Sequence, residues 1–130
     1  MDAQTLYREE ILEHYRNPQN FGKPKNFDVS SKQSNPFCGD EIEIFVKFVS
    51  KSEGAKLDHL EGVSFEGKGC AVSMAAASML TEQVKGKTKK ELTKFSEQDM
   101  LGLLGIEVSE TRKKCALLSL SVLRDCLGSV

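Results

Sequence analysis

The alternation of apolar and polar residues changes period partway along this chain. In the first stretch Tyr7, Ile11 and Tyr15 recur every four residues, which predicts a helix over 3–16 with one buried face. Asp2 stands where an N-cap belongs. Asn17-Pro18 ends the helix, because a residue before proline avoids helical geometry. A loop holding Gly22 and Pro24 follows, and Phe27 with Val29 begins a first strand. Past a turn at Asn35–Asp40, Ile42, Ile44, Val46 and Phe48 alternate with Glu41, Glu43 and Lys47. That period of two marks a strand with one buried face. The polar stretch 50–56 contains Gly54 and reads as a hairpin connection, and Leu60, Val63 and Phe65 supply the next strand.

The second half is helical. Ala71–Val84 is rich in helix formers and stops ahead of Gly86. Thr88 and Glu91 match a capping box, and Ser96 caps a segment ending near Leu104-Gly105. Thr111 to Leu127 carries the apolar stripe Cys115, Leu118, Val122 and Cys126. Strands first and helices afterwards predict an α+β fold, a small antiparallel sheet of about three strands with helices packed on one face. With 130 residues and no repeat or linker, the chain is expected to form a single domain over 1–130.

Composition narrows the function by exclusion. A net charge of −1 gives no electrostatic footprint for nucleic acid, and the basic cluster Lys85 to Lys94 also carries Glu91, so it reads as a solvated surface. No apolar run is long enough to span a bilayer, since Ser73 and Ser78 interrupt even Ala71–Leu80. The N-terminus reaches Arg8-Glu9-Glu10 before any apolar stretch, so no signal peptide and a cytoplasmic location are expected. Four cysteines in such a setting read as thiols or metal ligands rather than disulfides.

Three of those cysteines have unusual flanks. Cys38 lies in Asn35-Pro36-Phe37-Cys38-Gly39-Asp40, Cys70 in Gly67-Lys68-Gly69-Cys70-Ala71, and Cys115 follows Arg112-Lys113-Lys114. Glycine, proline, aspartate and lysine around a thiol predict an accessible, reactive sulfur rather than core packing. Cys70 and Cys115 fall near predicted helix starts, where unpaired N–H groups favour the thiolate. Gly67 and Gly69 are expected to permit a tight loop, and Gly39 to bend Asp40 toward Cys38. Three thiolates and one carboxylate make four ligands, which suits zinc or an iron–sulfur cluster. The hard oxygen is the poorer partner for a soft cluster, so such a cluster should be easy to release. Cys126 lies eleven residues after Cys115, about 16 Å along one helix at about 1.5 Å per residue, and is expected to pack the core. His14 is expected to be structural, His59 to lie on the surface, and Met74 and Met79 to fill the core.

Asn35-Pro36-x-Cys38-Gly39-Asp40, Gly67-x-Gly69-Cys70-Ala71-x-Ser73 and Arg112-x-x-Cys115-Ala116 resemble the three motifs of the IscU/NifU N-terminal domain family, the iron–sulfur cluster assembly scaffolds. The opening Tyr7…His14-Tyr15-x-Asn17-Pro18-x-Asn20-x-Gly22 is also similar. The resemblance implies that Cys38, Asp40, Cys70 and Cys115 gather at one end of the fold as cofactor and metal ligands. It further implies a cysteine desulfurase that delivers sulfur, a [2Fe-2S] cluster built and then passed to apo iron–sulfur acceptor proteins, and an assembly carrier rather than an enzyme. Tyr7 would lie in the segment that some members use for dimer contact, which makes a homodimer one expected arrangement.

Two departures shape the expectation. Lys114 stands where typical IscU members place histidine, so Asp40 becomes the natural fourth ligand, and Gly105-Ile106-Glu107-Val108-Ser109 replaces the chaperone-recognition motif Leu-Pro-Pro-Val-Lys. The sequence around Cys115 is closer to the SufU branch, whose members hold zinc with three cysteines and an aspartate. SufU proteins carry an insertion between the second and third cysteines, whereas Cys70 and Cys115 are only 45 positions apart. The alternative function is therefore a zinc-dependent sulfurtransferase that accepts persulfide sulfur from the desulfurase. A purely structural zinc domain is a third reading.

Overall fold

The computed structural model describes residues 3–36, 39–49 and 59–128, with side chains from Thr5 onward. Helix α1 (Ala3–Arg16) precedes three strands, β1 (Val29–Asn35), β2 (Asp40–Val49) and β3 (His59–Lys68). Helices α2 (Ala71–Val84), α3 (Lys89–Thr93), α4 (Glu97–Leu104) and α5 (Glu110–Gly128) follow. The strands form one antiparallel sheet in the order β1-β2-β3, with β2 in the centre. The α+β architecture expected from the apolar rhythm is therefore present. The expected N-cap Asp2 and the connection over 50–56 lie outside the described residues.

Register explains which face is buried. Ile44 sits opposite Phe65 and Val46 opposite both Val29 and Val63, so one face of the sheet is a continuous apolar layer. Helices α2 and α5 pack on that layer, and Ile42, Ile44, Val46, Phe48, Leu60 and Phe65 are buried beneath them. At the rim of the same face Ser31 and Gln33 hydrogen-bond Asp125 of α5, and Ser121 donates to Gln33.

The alternation holds with one exception. Phe45 points to the opposite face, yet it is buried, because the loop before β1 folds back and sets Phe27 edge-on to it at 5.0 Å. Phe27 therefore covers the sheet rather than opening β1 as the apolar pattern suggested. Asp28 anchors this loop by donating its N–H to Val46 O at 2.8 Å and accepting from the Phe48 N–H at 2.7 Å. The outer edge of β3 is occupied by 20–22, where the Gly22 N–H donates to Phe65 O and the Phe65 N–H to Asn20 O. Pairing the edge in this way removes a template for aggregation.

Helix α1 packs on α2 instead of on the sheet. Of its three periodic residues only Ile11 is buried, whereas Tyr7 and Tyr15 stay 39% and 45% exposed. His14 sits between the helices with Nδ1 2.7 Å from Ser78 Oγ, which is the structural role expected of it. Helix α2 is buried along most of its length, including Met74 and Met79, since α1, α5, α4 and β3 all pack against it. Both predicted capping boxes form, Thr88 with Glu91 and Ser96 with Asp99. Gly105 ends α4 at φ 68°, and the Tyr7 ring lies so close that a β-carbon there would strike it. Among the described residues no helix is long and apolar enough to cross a membrane.

Candidate metal centre

Two tight connections and the second turn of α5 converge at one end of the sheet. Asp40 is the first residue of β2 and pairs with Asn35 across the turn, where Gly39 adopts φ 71° and donates its N–H to Asn35 O at 2.9 Å. Only Gly69 and Cys70 separate β3 from α2, and Cys70 occupies the N-cap position of that helix at φ −73°, ψ 169°. Cys115 lies in the second turn of α5, on its buried stripe. The ligand atoms of Asp40, Cys70 and Cys115 all lie within 4.8 Å of one another. Cys38 falls outside the described residues, one position before Gly39. Three of the four expected site residues are thus brought together.

The hydrogen bonds around Asp40 are one-sided. Its Oδ1 accepts the Cys70 backbone N–H at 2.9 Å and the Ser73 hydroxyl at 3.2 Å. The same hydroxyl lies 3.0 Å from Cys70 O, and the Cys70 thiol donates to Ser73 Oγ at 3.8 Å. Oδ2 is equally buried and accepts no hydrogen bond among the described residues. A buried carboxyl oxygen left without a partner is costly to a fold. The carboxylate it belongs to clusters with two sulfurs, and one hard oxygen with two soft thiols is a donor set that zinc or iron can complete.

Two expectations about these groups need correcting. Cys115 is wholly buried rather than an accessible thiol, because the stripe it shares with Leu118, Val122 and Cys126 turns inward, and α5 begins at Glu110, which leaves Cys115 beyond the first turn. Gly67 and Gly69 are not there for turn freedom, since among the described residues the positive-φ glycines are Gly22, Gly39, Gly86 and Gly105. They permit close approach instead. A β-carbon on Gly67 would strike Glu41 O, and one on Gly69 would strike both Asp40 Oδ1 and Ser73 Oγ. Ser73 is the residue that sequence reasoning passed over. Its place three residues after a glycine-cysteine helix start was visible, but its partner Asp40 lies 33 positions away.

The electrostatics separate the thiols. Burial is the largest single influence and works to raise the Cys70 pKa, but hydrogen bonds from Ser73, its backbone N–H first, favour the thiolate. The nearby Asp40 opposes them and the Cys115 thiol assists, and the net result lies below the ordinary value. Cys126 is pushed up to about 12, chiefly by burial and then by Asp125. Beside the cluster, Lys114 lines a cavity with Asn35, Glu110 and Thr111.

The NifU-like N-terminal domain matches residues 6–129. The chain belongs to this family. It is 38% identical to the zinc-dependent sulfurtransferase SufU of Bacillus subtilis, with 88% of this chain and 84% of that protein aligned. It is 32% identical to the iron–sulfur cluster assembly scaffold protein IscU 1 of Archaeoglobus fulgidus, with coverage of 94% and 74%. Among solved structures it superposes on a putative SUF-system scaffold from Fervidobacterium islandicum with a TM-score of 0.77 at 29% identity, over 97% of this chain and 99% of that one. The family is thus one of iron–sulfur cluster assembly proteins in which both a scaffold and a sulfurtransferase are named. The alignment lengths also differ. The SufU match needs 132 positions to cover 88% of a 130-residue chain, so that relative carries residues with no counterpart here, whereas the IscU match spans 122 positions with 94% coverage.

Proposed function

We propose that this protein is a scaffold on which a [2Fe-2S] cluster is assembled and from which it is handed to apo-proteins, with Cys38, Asp40, Cys70 and Cys115 as the ligand set. The observation that carries this reading is the buried Asp40 carboxylate, which clusters with the Cys70 and Cys115 thiols and whose Oδ2 has no hydrogen-bond partner among the described residues. Such an oxygen is destabilising until a cation completes it, and as a hard ligand it holds a soft cluster weakly. A carrier benefits from that weakness. The near gap-free match to an IscU scaffold fits the same reading.

Sulfur would arrive from a cysteine desulfurase as a persulfide. A thiolate of the site attacks the outer sulfur, a new S–S bond forms, and the desulfurase cysteine leaves as its thiolate. Cys70, half-buried at the helix N-terminus with a lowered pKa, is suited to such an attack. The second reading, a zinc-dependent sulfurtransferase, is favoured by the 38% identity to SufU. In it the same four residues would hold zinc, which would keep the thiols ionised, and one of those thiolates would accept the sulfur. Either role makes the protein a carrier whose partners are a desulfurase and sulfur- or cluster-accepting proteins.

Anaerobic purification separates the two readings. A coloured protein with equal iron and sulfide that converts apo-ferredoxin to its holo form supports the scaffold. Stoichiometric zinc, no cluster on reconstitution with a desulfurase, and faster desulfurase turnover would refute it in favour of the sulfurtransferase. Asp40→Cys, which exchanges the hard oxygen for sulfur, should slow both cluster decay and transfer, and unchanged rates would remove Asp40 from the ligand set.

A further inference from the structure

Asp40 presents its two oxygens unequally, and one side chain accounts for the difference. Ser73 is 1% exposed and stands in the first turn of α2, with its hydroxyl between Asp40 Oδ1 at 3.2 Å and Cys70 O at 3.0 Å. A hydroxyl has a single proton, and an ionised carboxylate is the stronger acceptor of the two. Together with the Cys70 N–H, Ser73 therefore saturates Oδ1, while Oδ2 has no hydrogen-bond partner among the described residues. Gly69 is the steric counterpart, since any side chain there would collide with both Oδ1 and Ser73 Oγ.

We infer that Ser73 is a positioning residue that makes Asp40 a one-oxygen ligand: it holds Oδ1 in the protein and aims Oδ2 alone at the metal. The inference rests on Asp40 being a ligand, as proposed above. Its consequence is geometric. A carboxylate released from Ser73 can rotate about its terminal bond and offer both oxygens, which raises the coordination number. It can also swing away, which lowers affinity. The polar partner of a ligand typically contributes about ten- to hundredfold to metal affinity. Because Ser73 also tethers the first turn of α2 to the start of β2, the site is held in shape before any metal arrives.

Cobalt(II) titration of the metal-free protein tests this without any assay of assembly, because thiolate–cobalt absorption reports binding and the intensity of the visible d–d bands distinguishes four- from five-coordination. The set is wild type, Asp40→Ala, Ser73→Ala, and the shape-matched pair Ser73→Thr and Ser73→Val, with the fold of each checked by circular dichroism. Ser73→Ala and Ser73→Val should bind cobalt about ten- to hundredfold more weakly, with fainter d–d bands, while Ser73→Thr keeps the wild-type affinity and spectrum. Should alanine prevent folding, the threonine–valine pair decides alone, since its members differ only by the hydroxyl. If the hydroxyl-free variants keep wild-type affinity and spectrum while Asp40→Ala loses both, Ser73 does not position the ligand. If Asp40→Ala itself binds unchanged, the ligand reading fails first and the inference falls with it.

Discussion

Helix α5 carries two cysteines that share a stripe and are both wholly buried, yet their surroundings differ completely. Cys115 lies with Asp40 and Cys70, so all three ligand atoms are mutually within 4.8 Å. Cys126, eleven residues on, faces the carbonyl of Ile44 at 3.6 Å in the apolar layer of the sheet. Burial therefore does not separate a candidate ligand from a packing residue. What separates them is the company of a buried carboxylate and a second sulfur, which the fold provides at one end of α5 and not at the other.

The largest effect should come from exchanging one role for the other. Cys115→Ala is expected to lower cobalt or zinc affinity by more than about 100-fold, beyond what loss of an outer hydrogen-bond partner produces. Cys126→Ala should leave metal content unchanged and cost about 1–2 kcal/mol of stability through the cavity it opens. Equal metal loss in the two variants, read by competitive titration, would erase the contrast.

Next in size is a steric contrast between two glycines. Gly69→Ala forces a methyl into Asp40 Oδ1 and Ser73 Oγ, and overpacking of that kind costs about 1–3 kcal/mol and should impair metal binding as well. Gly62→Ala meets only Lys47 Cβ at 3.8 Å, so it should stay within about 0.5 kcal/mol of wild type. Chemical denaturation of both variants, metal-free and metal-bound, reads the difference.

Alkylation kinetics should sharpen the thiol contrast further. In the metal-free protein Cys70 should react at mildly alkaline pH, while Cys126 resists until the chain unfolds. The sign follows from its raised pKa. An ordinary thiol ionises near 9.0, while folded Cys126 holds its proton to about 12. Its contribution to stability is therefore intact below about pH 9 and declines as pH rises from there toward 12. A denaturation midpoint that stays flat above pH 9 in wild type and in Cys126→Ala alike would show that this thiol does not contribute. The smallest effect should come far from the site. Thr88→Ala removes the capping box of α3 and should cost about 1 kcal/mol with no change in metal binding.

Local patterns made much of this molecule legible. The two capping boxes, the end of α1 at Asn17-Pro18 and the alternation of β2 are short-range physics, settled within three or four residues of each other. The convergence of Asp40, Cys70 and Cys115 was signalled by flanking residues that a core cysteine rarely has, together with the family resemblance that the NifU-like match bears out. Phe45 was not legible as a buried residue, because the cover over it comes from Phe27, eighteen positions earlier in a loop with no periodicity.

By itself, then, the sequence determined most of the elements, the α+β class and the chemical identity of the candidate ligands, since each depends on neighbours in the chain or on residue type. Only the tertiary structure decided that Cys115 is buried rather than exposed, that Gly67 and Gly69 serve close approach, and that Ser73 binds one oxygen of Asp40 while the other has no partner among the described residues. Those facts depend on contacts such as Gly67 with Glu41 and Ser73 with Asp40, 26 and 33 positions apart, where distance in space is fixed by the packing of α2 and α5 on the sheet rather than by any spacing along the chain.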